Sequence, residues 1–537
     1  MEVFSLFIWF FSVFCLGDAV TATLYRDSDG KFVVQEVLDK QKGIAYGSFV
    51  DEINKTGWSQ LDIRSGYGLP VDDEVVMYAA GYLEGAFTAR MIPQCQHNLR
   101  SIMMEVIKTD ENLAKVEKFL QQQFDWMKSM IMGNKKDPFW RHIHLIYQQF
   151  MGLFDGYNAF SPTGKQATEL EFLLFNAYPN TPDILAAVVP EMAPKWDEMT
   201  IEEIRRKSAL LGHCSALVKV TPGYEDVLIG HTTWTGYPSM LRIFKHYSFN
   251  LQEPTTGSQT LSFSSYPGVL VSIDDYYIMG RGMVMMETTN DVYDNRLFKL
   301  VKPESLLTWQ RVRVACQMAH DAMEWTDAFT RYNSGTYNNQ YMIVDLNKIK
   351  VKDSIGDNAL RIAEQTPGLV VSTDVTPVLR AGYFASYNVP FSEEIYNRSG
   401  YPAFVAKHGP EFSYSLAPRA KIFRRDQSKV VDIESLKHLI RYNNYKNEEY
   451  ADQDPCNTIC CRGDLSATPN ADGCTDAKVT NYSLAYSRIT HGISGPTTEG
   501  GLPVFSFTGA FKDVAHEGMP IYWNFSFVTL QPGEQLN

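Results

Sequence analysis

The chain lacks the composition of a nucleic-acid-binding, fibrous or disordered protein. Its 537 residues include 49 lysines and arginines against 62 aspartates and glutamates, which gives a net charge of −13. No stretch gathers the dense positive charge that binding to a phosphate backbone requires. Hydrophobic residues make up 45%, aromatic residues 13% and charged residues 21%, which is the balance of a globular protein. We therefore expect no nucleic-acid partner.

The common catalytic signatures are also missing. The chain contains no G-x-S-x-G, no H-E-x-x-H, no P-loop and no G-x-G-x-x-G. These are the patterns of serine esterases, zinc proteases and nucleotide-binding proteins. We predict neither a metal nor a cofactor, so any chemistry rests on side chains.

A single long apolar run opens the chain. It extends over the fifteen residues from Val3 to Gly17, too short to span a bilayer comfortably and placed where the hydrophobic region of a signal peptide belongs. Gly17 and Ala22 both offer a cleavage point, and we favour cleavage after Ala22, so that residues 1–22 are the signal peptide. No later run is long and uncharged enough to span a membrane. We expect a secreted or lysosomal protein without an integral membrane span.

Export also predicts N-glycosylation. Four N-x-S/T sequons with a non-proline middle residue occur, at Asn54, Asn397, Asn481 and Asn524. A chain of this length yields some sequons by chance, but together with the signal peptide they predict glycans at two or more sites.

The cysteines point to the same compartment. Of the eight, Cys15 lies in the signal peptide, and the odd number that remains predicts at least one free thiol. A zinc site is the alternative for a cluster near the C-terminus, but its spacing does not match paired C-x₂-C knuckles, and an oxidising compartment favours disulfides. We predict one or more disulfides among Cys456, Cys460, Cys461 and Cys474. The embedded triplet 462–464 (RGD) is interpreted as loop chemistry rather than as an integrin-binding motif.

Hydrophobic periodicity divides the chain into blocks. Short β-rich pieces at 31–37 and 44–50 precede predicted helices at 72–91, 103–132, 138–154 and 168–175. Short strands are then predicted at 209–220, 226–231, 259–264, 268–273, 276–287 and 340–346, with a helical patch at 307–331 between them. Blocks without a βαβ rhythm indicate a layered α+β fold rather than a doubly wound parallel sheet.

Thiol chemistry is the remaining candidate for an active centre. Cys214 lies between small or polar residues at the point where the helical pattern gives way to strand. His231 follows 17 residues later, at the end of another apolar run, and this spacing suits a hairpin that brings two strand ends together. A lone buried cysteine is more often inert, and a lone histidine at a strand end is more often structural. The residues alone do not decide whether Cys214 and His231 are catalytic or structural.

Five separated segments of the sequence bear on whether Cys214 and His231 are catalytic. They read GHCSALVK at 212–219, GHTTW at 230–234, YNSGTYNNQYMIVD at 332–345, CRGDL at 461–465 and HGISGPT at 491–497. Together, in this order, they resemble the phospholipase B-like family, also called the lamina ancestor family, and the resemblance covers nearly the whole mature chain. It implies an N-terminal nucleophile (Ntn) hydrolase, a four-layer αββα sandwich whose precursor cuts itself to expose a cysteine as a new N-terminus.

The resemblance implies that Cys214 is the nucleophile and that the His213–Cys214 bond is the processing site. Cleavage would give a mostly helical fragment, 23–213, and a fragment carrying the nucleophile and the sheet core, 214–537, which belong to one fold and remain associated. A thiol of ordinary pKa, about 8.5, is mostly protonated in an acidic compartment. The new α-amine, of pKa about 7.7–8.0, can accept its proton without a separate histidine.

The resemblance also suggests neighbours for the nucleophile. It places His231 beside Cys214 and Trp234 in the same pocket, whereas related Ntn amidases carry Arg and Asp at the corresponding spacing. Asn333 is our first candidate for the oxyanion hole and Asn338 the second, because an amide N–H held by a glycine turn can face developing negative charge. The alternative for both is an Asn-Gly-type turn.

Three charged residues near one predicted hairpin complete the candidates. Arg281 could hold an anionic group of the substrate. Asp274 and Asp275 are interpreted as caps of a hairpin turn.

These inferences lead to one main hypothesis and two rivals. The main hypothesis is a hydrolase that removes acyl chains from glycerophospholipids, in which Cys214 attacks the carbonyl carbon to form a thioester that water hydrolyses. An N-acyl amide or peptide amidase is the enzymatic rival, because Ntn enzymes commonly cleave amides. A lipid-binding glycoprotein with little turnover is the third hypothesis. The expected partner is a phospholipid or another acyl lipid.

Overall fold

The computed structural model describes residues 19–536. The predicted signal peptide, with its apolar run and Cys15, lies outside the described residues except for its last few positions. The first strand begins at Val20, and Ala22 within it is 2% exposed. Cleavage after Ala22 would therefore remove three residues of this strand, whereas cleavage after Gly17 would leave it whole. Between residues 19 and 536, no helix is long and apolar enough to cross a membrane.

Strands and helices alternate in blocks along the chain. The strands are β1 (Val20–Arg26), β2 (Phe32–Gln35), β3 (Ala45–Glu52), β4 (Trp58–Ser65), β5 (His213–Val220), β6 (Val227–Gly236), β7 (Ile243–Phe249), β8 (Thr260–Ser265), β9 (Tyr276–Met279), β10 (Met283–Thr289), β11 (Asn339–Asp345), β12 (Ile349–Lys350), β13 (Ser354–Ile355), β14 (Leu360–Thr366), β15 (Leu369–Asp374), β16 (Tyr383–Ser386), β17 (Asp472–Cys474), β18 (Asp476–Asn481), β19 (Thr490–Ser494), β20 (Phe505–Ser506), β21 (Tyr522–Trp523) and β22 (Val528–Leu530). The α-helices are α1 (Ile53–Thr56), α2 (Asp73–Thr88), α3 (Ile92–Ile107), α4 (Asp110–Gly133), α5 (Pro138–Phe160), α6 (Glu169–Asn176), α7 (Thr181–Val188), α8 (Ile201–Leu211), α9 (Thr308–Met318), α10 (Ala322–Thr330), α11 (Thr376–Arg380), α12 (Glu393–Arg398), α13 (Tyr401–His408), α14 (Pro418–Asp426), α15 (Ile433–Ile440) and α16 (Tyr482–Tyr486).

The larger sheet combines strands from the N-terminal part and the middle of the chain. Its eleven strands are ordered β15-β14-β11-β10-β9-β8-β7-β4-β3-β1-β2. All neighbours are antiparallel except β4 and β7, which pair in parallel with Leu61 opposite Lys245. This parallel pairing joins β1–β4, which precede Cys214 in the sequence, to the strands that follow it.

The smaller sheet carries the candidate nucleophile. Its order is β16-β5-β6-β18-β19-β22, and β17 also pairs with β6. Successive side chains along its strands point alternately into two different cores, because neighbouring residues of a strand face opposite sides of the sheet. On β5, Ala216 and Val218 face the core between the two sheets, whereas Leu217 faces the core under the C-terminal helices α13–α15. A third core lies between the helices α2–α7, α9 and α10 and the other face of the larger sheet.

Two helices of the third core approach unusually closely because glycines line their contact. A Cβ atom at Gly81 of α2 would lie 2.0 Å from the carbonyl oxygen of Gln149, and one at Gly152 of α5 would lie 2.0 Å from that of Tyr78. Such distances exclude any side chain at either position. The glycines therefore set the spacing of α2 and α5 on the larger sheet.

Much of the predicted secondary structure is confirmed. The fold is mixed α+β, and strands β2 and β3 and helices α2, α5 and α6 lie where the periodicity indicated. The predicted helix 103–132 is wrong as one element, because Lys108 has φ 71° and Thr109 caps a new helix by accepting a hydrogen bond from the Asn112 amide. The helical patch 307–331 is likewise two helices, and 276–287 is the hairpin β9–β10.

One strand prediction is wrong only at its beginning, and another is wrong throughout. Residues 209–211 belong to α8, and the strand begins only at His213. Residues 268–273 form a buried loop, because side chains rather than a neighbouring strand bind its backbone. Lys245 donates to the Val269 carbonyl at 2.5 Å and Arg313 to the Leu270 carbonyl at 2.7 Å.

Candidate active site

The hairpin of β5 and β6 brings Cys214 and His231 to one face. Gly212, with φ 95°, separates α8 from β5. The antiparallel register places Cys214 opposite Thr233 and Ala216 opposite His231. Cross-strand partners share a face, so Cys214 and His231 are diagonal neighbours, roughly 7–8 Å apart. The predicted hairpin is confirmed.

Side chains hold the backbone of Cys214 where its second neighbouring strand has ended. Pairing of β16 with β5 stops at Ser386 and Ala216. Beyond that point the Cys214 amide donates to Oδ1 of Asn388 at 3.2 Å, and the Cys214 carbonyl accepts from Nη1 of Arg419 at 2.5 Å. The residue next to the predicted cleavage site is therefore fixed by two side chains.

Cys214 lines a small apolar cavity, here called cavity A. Gly212, Trp234 and Tyr337 line the cavity. Helix α3 contributes three apolar side chains to its wall, those of Ile102, Met103 and Val106. Its free volume is about 40 Å³, room for a water-sized molecule but not for an acyl chain. In the uncleaved chain the cavity is therefore closed to a lipid.

The environment of the thiol keeps it protonated. Cys214 is 3% exposed, and burial raises the pKa of its thiol well above the ordinary value. The negative charge of Glu287 raises the pKa further, whereas a hydrogen bond from the Trp234 backbone and the positive charge of Lys478 oppose it. The uncleaved chain therefore holds a thiol rather than a thiolate.

His231 is a buried neutral imidazole. Its Nε2 lies 2.8 Å from the carbonyl oxygen of Glu287, which can only accept, so Nε2 carries the proton. Among the described residues, Nδ1 has no hydrogen-bond partner. Burial, assisted by the charge of Lys478, lowers the pKa of His231 to about 3. This imidazole is a weak base.

Four fully buried charges, here called the charge cluster, lie beside the hairpin. They are Arg242, Asp274, Asp476 and Lys478. Arg242 lies 2.7 Å from Asp274 and 2.8 Å from Asp476, and Lys478 pairs with both carboxylates. Lys478 also donates to the Thr233 hydroxyl, opposite Cys214, at 2.8 Å. Because Asp476 and Lys478 belong to β18 and the other two to segments of the larger sheet, the cluster joins the two sheets.

The interpretation of Asp274 as a turn cap is wrong. Burial opposes its ionisation, but Arg242 and Lys478 hold the pKa of its carboxyl well below the usual range. Asp275 beside it is also buried, with φ 36°, and neither carboxylate oxygen has a partner among the described residues. Burial and the neighbouring carboxylates raise the pKa of Asp275. One of these two aspartates is therefore charged and paired, and the other favours the neutral form.

Glu287 and Tyr337 connect this region to cavity A. The Tyr337 hydroxyl, on the cavity wall, lies 3.0 Å from Oε1 of Glu287 and 2.5 Å from the Ile273 carbonyl oxygen. Burial raises the pKa of Glu287 to about 8. The larger sheet thus presents a mostly neutral carboxyl group close to the thiol.

The predicted oxyanion donors make other contacts. The Asn333 amide donates to the carbonyls of Thr366 and Leu369 at 3.2 and 3.4 Å, and its Oδ1 accepts from the Gly335 amide, as in the turn alternative. The Asn338 amide donates to Asp183 at 3.1 Å and lines a neighbouring cavity. The structure does not bring either to the wall of cavity A.

Arg281 also lies away from Cys214. It is exposed at the β9–β10 turn, with φ 67°. Six residues of extended chain, roughly 20 Å, separate it from Glu287. A contact between Arg281 and a substrate group at Cys214 is therefore not supported by its position.

Asn388 and Arg419 are the residues that sequence reasoning missed. They lie 174 and 205 positions beyond Cys214, and no local pattern links them to it. Asn388 has φ 68° and donates to the Thr289 carbonyl at 2.5 Å, which orients its amide group. The Arg419 guanidinium lies 4.4 Å from the Trp234 ring, and burial lowers its pKa to about 10. Trp234 itself donates to the Ile459 carbonyl at 3.2 Å.

The predicted disulfides are confirmed. Cys456 pairs with Cys461 and Cys460 with Cys474, so all four sulfurs are used and none remains for zinc. The free thiols of the described chain are Cys95, Cys214 and Cys316, all buried.

In the RGD triplet, Arg462 is fully buried and forms an ion pair with Asp464 through two hydrogen bonds. The triplet is therefore part of the loop structure.

The four sequons differ in accessibility. Asn54, Asn397 and Asn524 are exposed. Asn481 is half-buried, caps α16 through Oδ1 and donates to Asp226 at 2.8 Å. Glycosylation remains a prediction, and the geometry favours the three exposed sites.

Similarity to known proteins extends along nearly the whole chain. The family model described as Phospholipase B matches residues 45–530. A phospholipase B of Crotalus adamanteus is 46% identical over 522 residues, 96% of this chain and 93% of the relative. Phospholipase B-like 1 of Rattus norvegicus is 46% identical over 516 residues, 95% and 92% of the two chains. Phospholipase B-like protein D of Dictyostelium discoideum is 35% identical over 505 residues, 91% and 88%.

Proposed function

Because this chain belongs to the phospholipase B family, we propose that it hydrolyses the acyl esters of glycerophospholipids through Cys214 as an N-terminal nucleophile. The names of the relatives support a lipid hydrolase. The observation that carries the mechanism is the fixed backbone of Cys214, whose amide and carbonyl are held by Asn388 and Arg419 while its thiol lines cavity A.

The fold supports an Ntn-type assignment. Helices, the larger sheet, the smaller sheet and the C-terminal helices follow one another across three separate cores. This order of layers supports the αββα sandwich that the family resemblance implies. Cys214 is the second residue of a strand in the smaller sheet, next to the sheet interface.

The first reaction is cleavage of the precursor. The Cys214 sulfur attacks the carbonyl carbon of His213, the thiol proton passes to the peptide nitrogen, and the C–N bond breaks. This leaves His213 as a thioester on Cys214 and frees the α-amine of Cys214. Water then hydrolyses the thioester, which restores the thiol and gives His213 a carboxylate. The products are residues 23–213 and 214–537 if the signal peptide ends at Ala22.

The two fragments then stay together. Strand β4 of the first fragment pairs with β7 of the second over seven residue pairs. Helices α2–α7 bury their apolar faces in the core that the larger sheet shares. Separation would expose this core to water, which costs roughly 25 cal/mol for each Å² of apolar surface.

The new α-amine is a better base for the lipid reaction than His231. General bases work best with a pKa near the working pH. The pKa of His231, about 3, lies far below that range, whereas an α-amine has a pKa of about 7.7–8.0. The amine takes the thiol proton and the sulfur attacks the ester carbonyl. The alcohol then leaves with that proton, and water releases the fatty acid from the thioester.

Asn388 replaces Asn333 and Asn338 as the amide group beside the reacting atoms. Its Oδ1 already accepts from the Cys214 nitrogen, the atom that becomes the amine. We assign it the role of orienting that amine. His231 and Trp234 support the pocket, the first from the shared face of the hairpin and the second from the wall of cavity A.

Export remains part of the proposal. The two disulfides and the exposed sequons suit the secretory pathway, and we propose a secreted or lysosomal location reached through the signal peptide.

An amidase is the second candidate function, because the precursor reaction itself breaks an amide bond. The test uses secreted protein whose larger fragment is shown by N-terminal sequencing to begin at Cys214. Phosphatidylcholine and an N-acyl amide with the same acyl chain are then compared on one sample. Faster release of fatty acid from the phospholipid is expected.

Three outcomes would contradict parts of this proposal. Faster hydrolysis of the amide would replace the ester specificity and keep the nucleophile. Turnover of neither compound by the processed protein would favour the lipid-binding hypothesis. Full activity in an intact single chain would exclude the N-terminal nucleophile.

A further inference from the structure

A second cavity, here called cavity B, lies next to cavity A, and Trp234 lines both. Its volume is about 90 Å³. Its walls combine aromatic rings with two carboxyl groups, those of Asp291 and Glu411. The aromatic residues are Trp234, Tyr293, Tyr387, Tyr401 and Phe412.

Basic residues that precede the predicted cleavage site form part of the wall of this cavity in the uncleaved chain. Arg205 on α8 and His213 both line it. Nε2 of His213 lies 3.4 Å from Oδ2 of Asp291, and the Ser208 hydroxyl donates to the same oxygen at 3.1 Å. We call residues 201–213 the linker segment, because cleavage frees its C-terminal end.

Departure of the linker segment would leave Asp291 short of partners. Its carboxylate is 8% exposed, and its third partner is the Tyr293 hydroxyl at 3.2 Å. Arg419, which also lines the cavity, keeps a positive charge near Asp291, but the places of the imidazole and of the Ser208 hydroxyl beside Oδ2 become vacant. The cavity of the processed protein therefore has room beside a carboxylate for a ligand that brings a positive charge.

The aromatic walls specify the kind of positive charge. The hydroxyls of Tyr387 and Tyr401 are already bonded to the carbonyls of Tyr414 and Asn388, at 2.8 and 3.2 Å. Their rings, rather than their hydroxyls, remain for a ligand. Aromatic rings around a carboxylate are typical of sites for organic ammonium groups, which bind through cation–π attraction.

The two cavities together suit an amphipathic substrate. The chain before Cys214 places Gly212 at the apolar cavity A and the His213 imidazole in cavity B. The acyl carbon that Cys214 attacks therefore lies between a cavity lined by uncharged residues and one lined in part by charged residues. Arg419 is the basic residue that stays in cavity B when the linker segment leaves, and it matches a phosphate beside the ammonium group.

We propose that cavity B of the processed protein binds an organic ammonium group, that of a zwitterionic phospholipid head group, beside the Asp291 carboxylate that His213 contacts before cleavage. This inference rests on the proposed function for the release of the linker segment and for the lipid as the source of the ammonium group. The ligand chemistry is shared by a choline lipid and by free phosphocholine.

The kinetic test compares two lipids with the same acyl chains, phosphatidylcholine and phosphatidylglycerol, in neutral detergent micelles. Processed wild type is expected to prefer phosphatidylcholine by about tenfold in kcat/KM, as a buried ammonium contact would provide. Asp291→Asn should raise KM for phosphatidylcholine and remove most of the preference, with little change for phosphatidylglycerol. Glu411→Gln should act in the same direction, and it provides the test if Asp291→Asn fails to fold or to be cleaved.

Asp454→Asn is the matched control. Asp454 pairs with Arg205 of the linker segment at 3.0 Å but does not line cavity B. This variant should loosen the linker segment to a similar extent while keeping the lipid preference. Loss of the preference in Asp454→Asn as well as in Asp291→Asn would assign the effect to the linker segment and overturn the proposal.

A binding measurement separates this proposal from the proposed function. Calorimetry with phosphocholine should show binding to the processed protein and none to uncleaved Cys214→Ala, in which His213 and Ser208 of the linker segment still contact Asp291. Equal hydrolysis of both lipids together with no phosphocholine binding would overturn the cavity proposal and leave lipid hydrolysis intact. Phosphocholine binding without turnover of either lipid would support the cavity and reject the hydrolase. Phosphocholine binding with equal hydrolysis of both lipids would support the cavity and assign it to the free compound.

Discussion

Cys95 and Cys316 lie in the helix-side core, whereas Cys214 lies at the beginning of β5. All three thiols are at most 3% exposed. Burial raises the pKa of Cys95 and of Cys316 to about 12, and it raises that of Cys214 as well. Burial and thiol pKa therefore do not distinguish the candidate nucleophile from the other two.

The surroundings of the backbone make the distinction. Cys95 and Cys316 are inside α3 and α9, where helical hydrogen bonds use the backbone. The peptide at Cys214 is held instead by the side chains of Asn388 and Arg419. The comparison indicates that the candidate nucleophile is distinguished by what holds its backbone, not by its exposure.

The sharpest test of this comparison removes each thiol in turn. Cys214→Ala should abolish both precursor cleavage and fatty-acid release, because the attacking sulfur is gone. Cys95→Ala and Cys316→Ala are matched controls that remove an equally buried thiol, and they should be cleaved and active like wild type. Denaturing gels and fatty-acid assays provide the measurement. Normal activity in Cys214→Ala, or loss of cleavage in both controls, would contradict the assignment.

Buried charge offers a second comparison of the two regions. Lys245 pairs with Glu84 at 2.7 Å in the helix-side core, and Lys478 belongs to the charge cluster. Lys245→Met and Lys478→Met should each lower the free energy of unfolding by about 3–5 kcal/mol, since each removes a buried positive charge that is paired with buried carboxylates. Only Lys478→Met should also slow cleavage at 20 °C, because only Lys478 contacts Thr233 opposite Cys214. Denaturant unfolding of uncleaved protein and the rate of fragment appearance measure the two effects, and equal slowing in both variants would remove the distinction.

The smallest expected effect concerns pH. The pKa of Glu287 rises from 4.5 to about 8 in the folded chain because of burial. Its contribution to stability is therefore fully present below about pH 4.5 and is lost as pH rises through about 8. Glu287→Gln should remove this part of the loss of stability with rising pH, so that the unfolding temperature differs less between pH 5 and pH 8 than in wild type. Glu111→Gln, at an exposed position, should leave the pH dependence of the unfolding temperature as in wild type. The wild-type pH dependence in Glu287→Gln as well would contradict the raised pKa of the Glu287 carboxyl.

Local patterns predicted the elements that depend on near neighbours. The β5–β6 hairpin follows from the 17-residue spacing of Cys214 and His231, and α2, α5 and α6 follow from their periodicity. The break at Lys108 and the buried loop 268–273 were missed, because a left-handed backbone and side-chain hydrogen bonds from distant elements outweigh apolar periodicity there. The disulfide cluster was predictable as a group, but its pairing was not.

The sequence by itself determined the mixed α+β character, the hairpin of the candidate nucleophile and the family resemblance, since each depends on residues close together along the chain. Only the tertiary structure decided that Asn388 and Arg419 hold Cys214, that Asp274 belongs to the charge cluster, and that Asn333 and Arg281 lie elsewhere. The physical reason is that these contacts join residues far apart in sequence. Their positions follow from sheet order and register, to which the pattern around each residue contributes almost nothing.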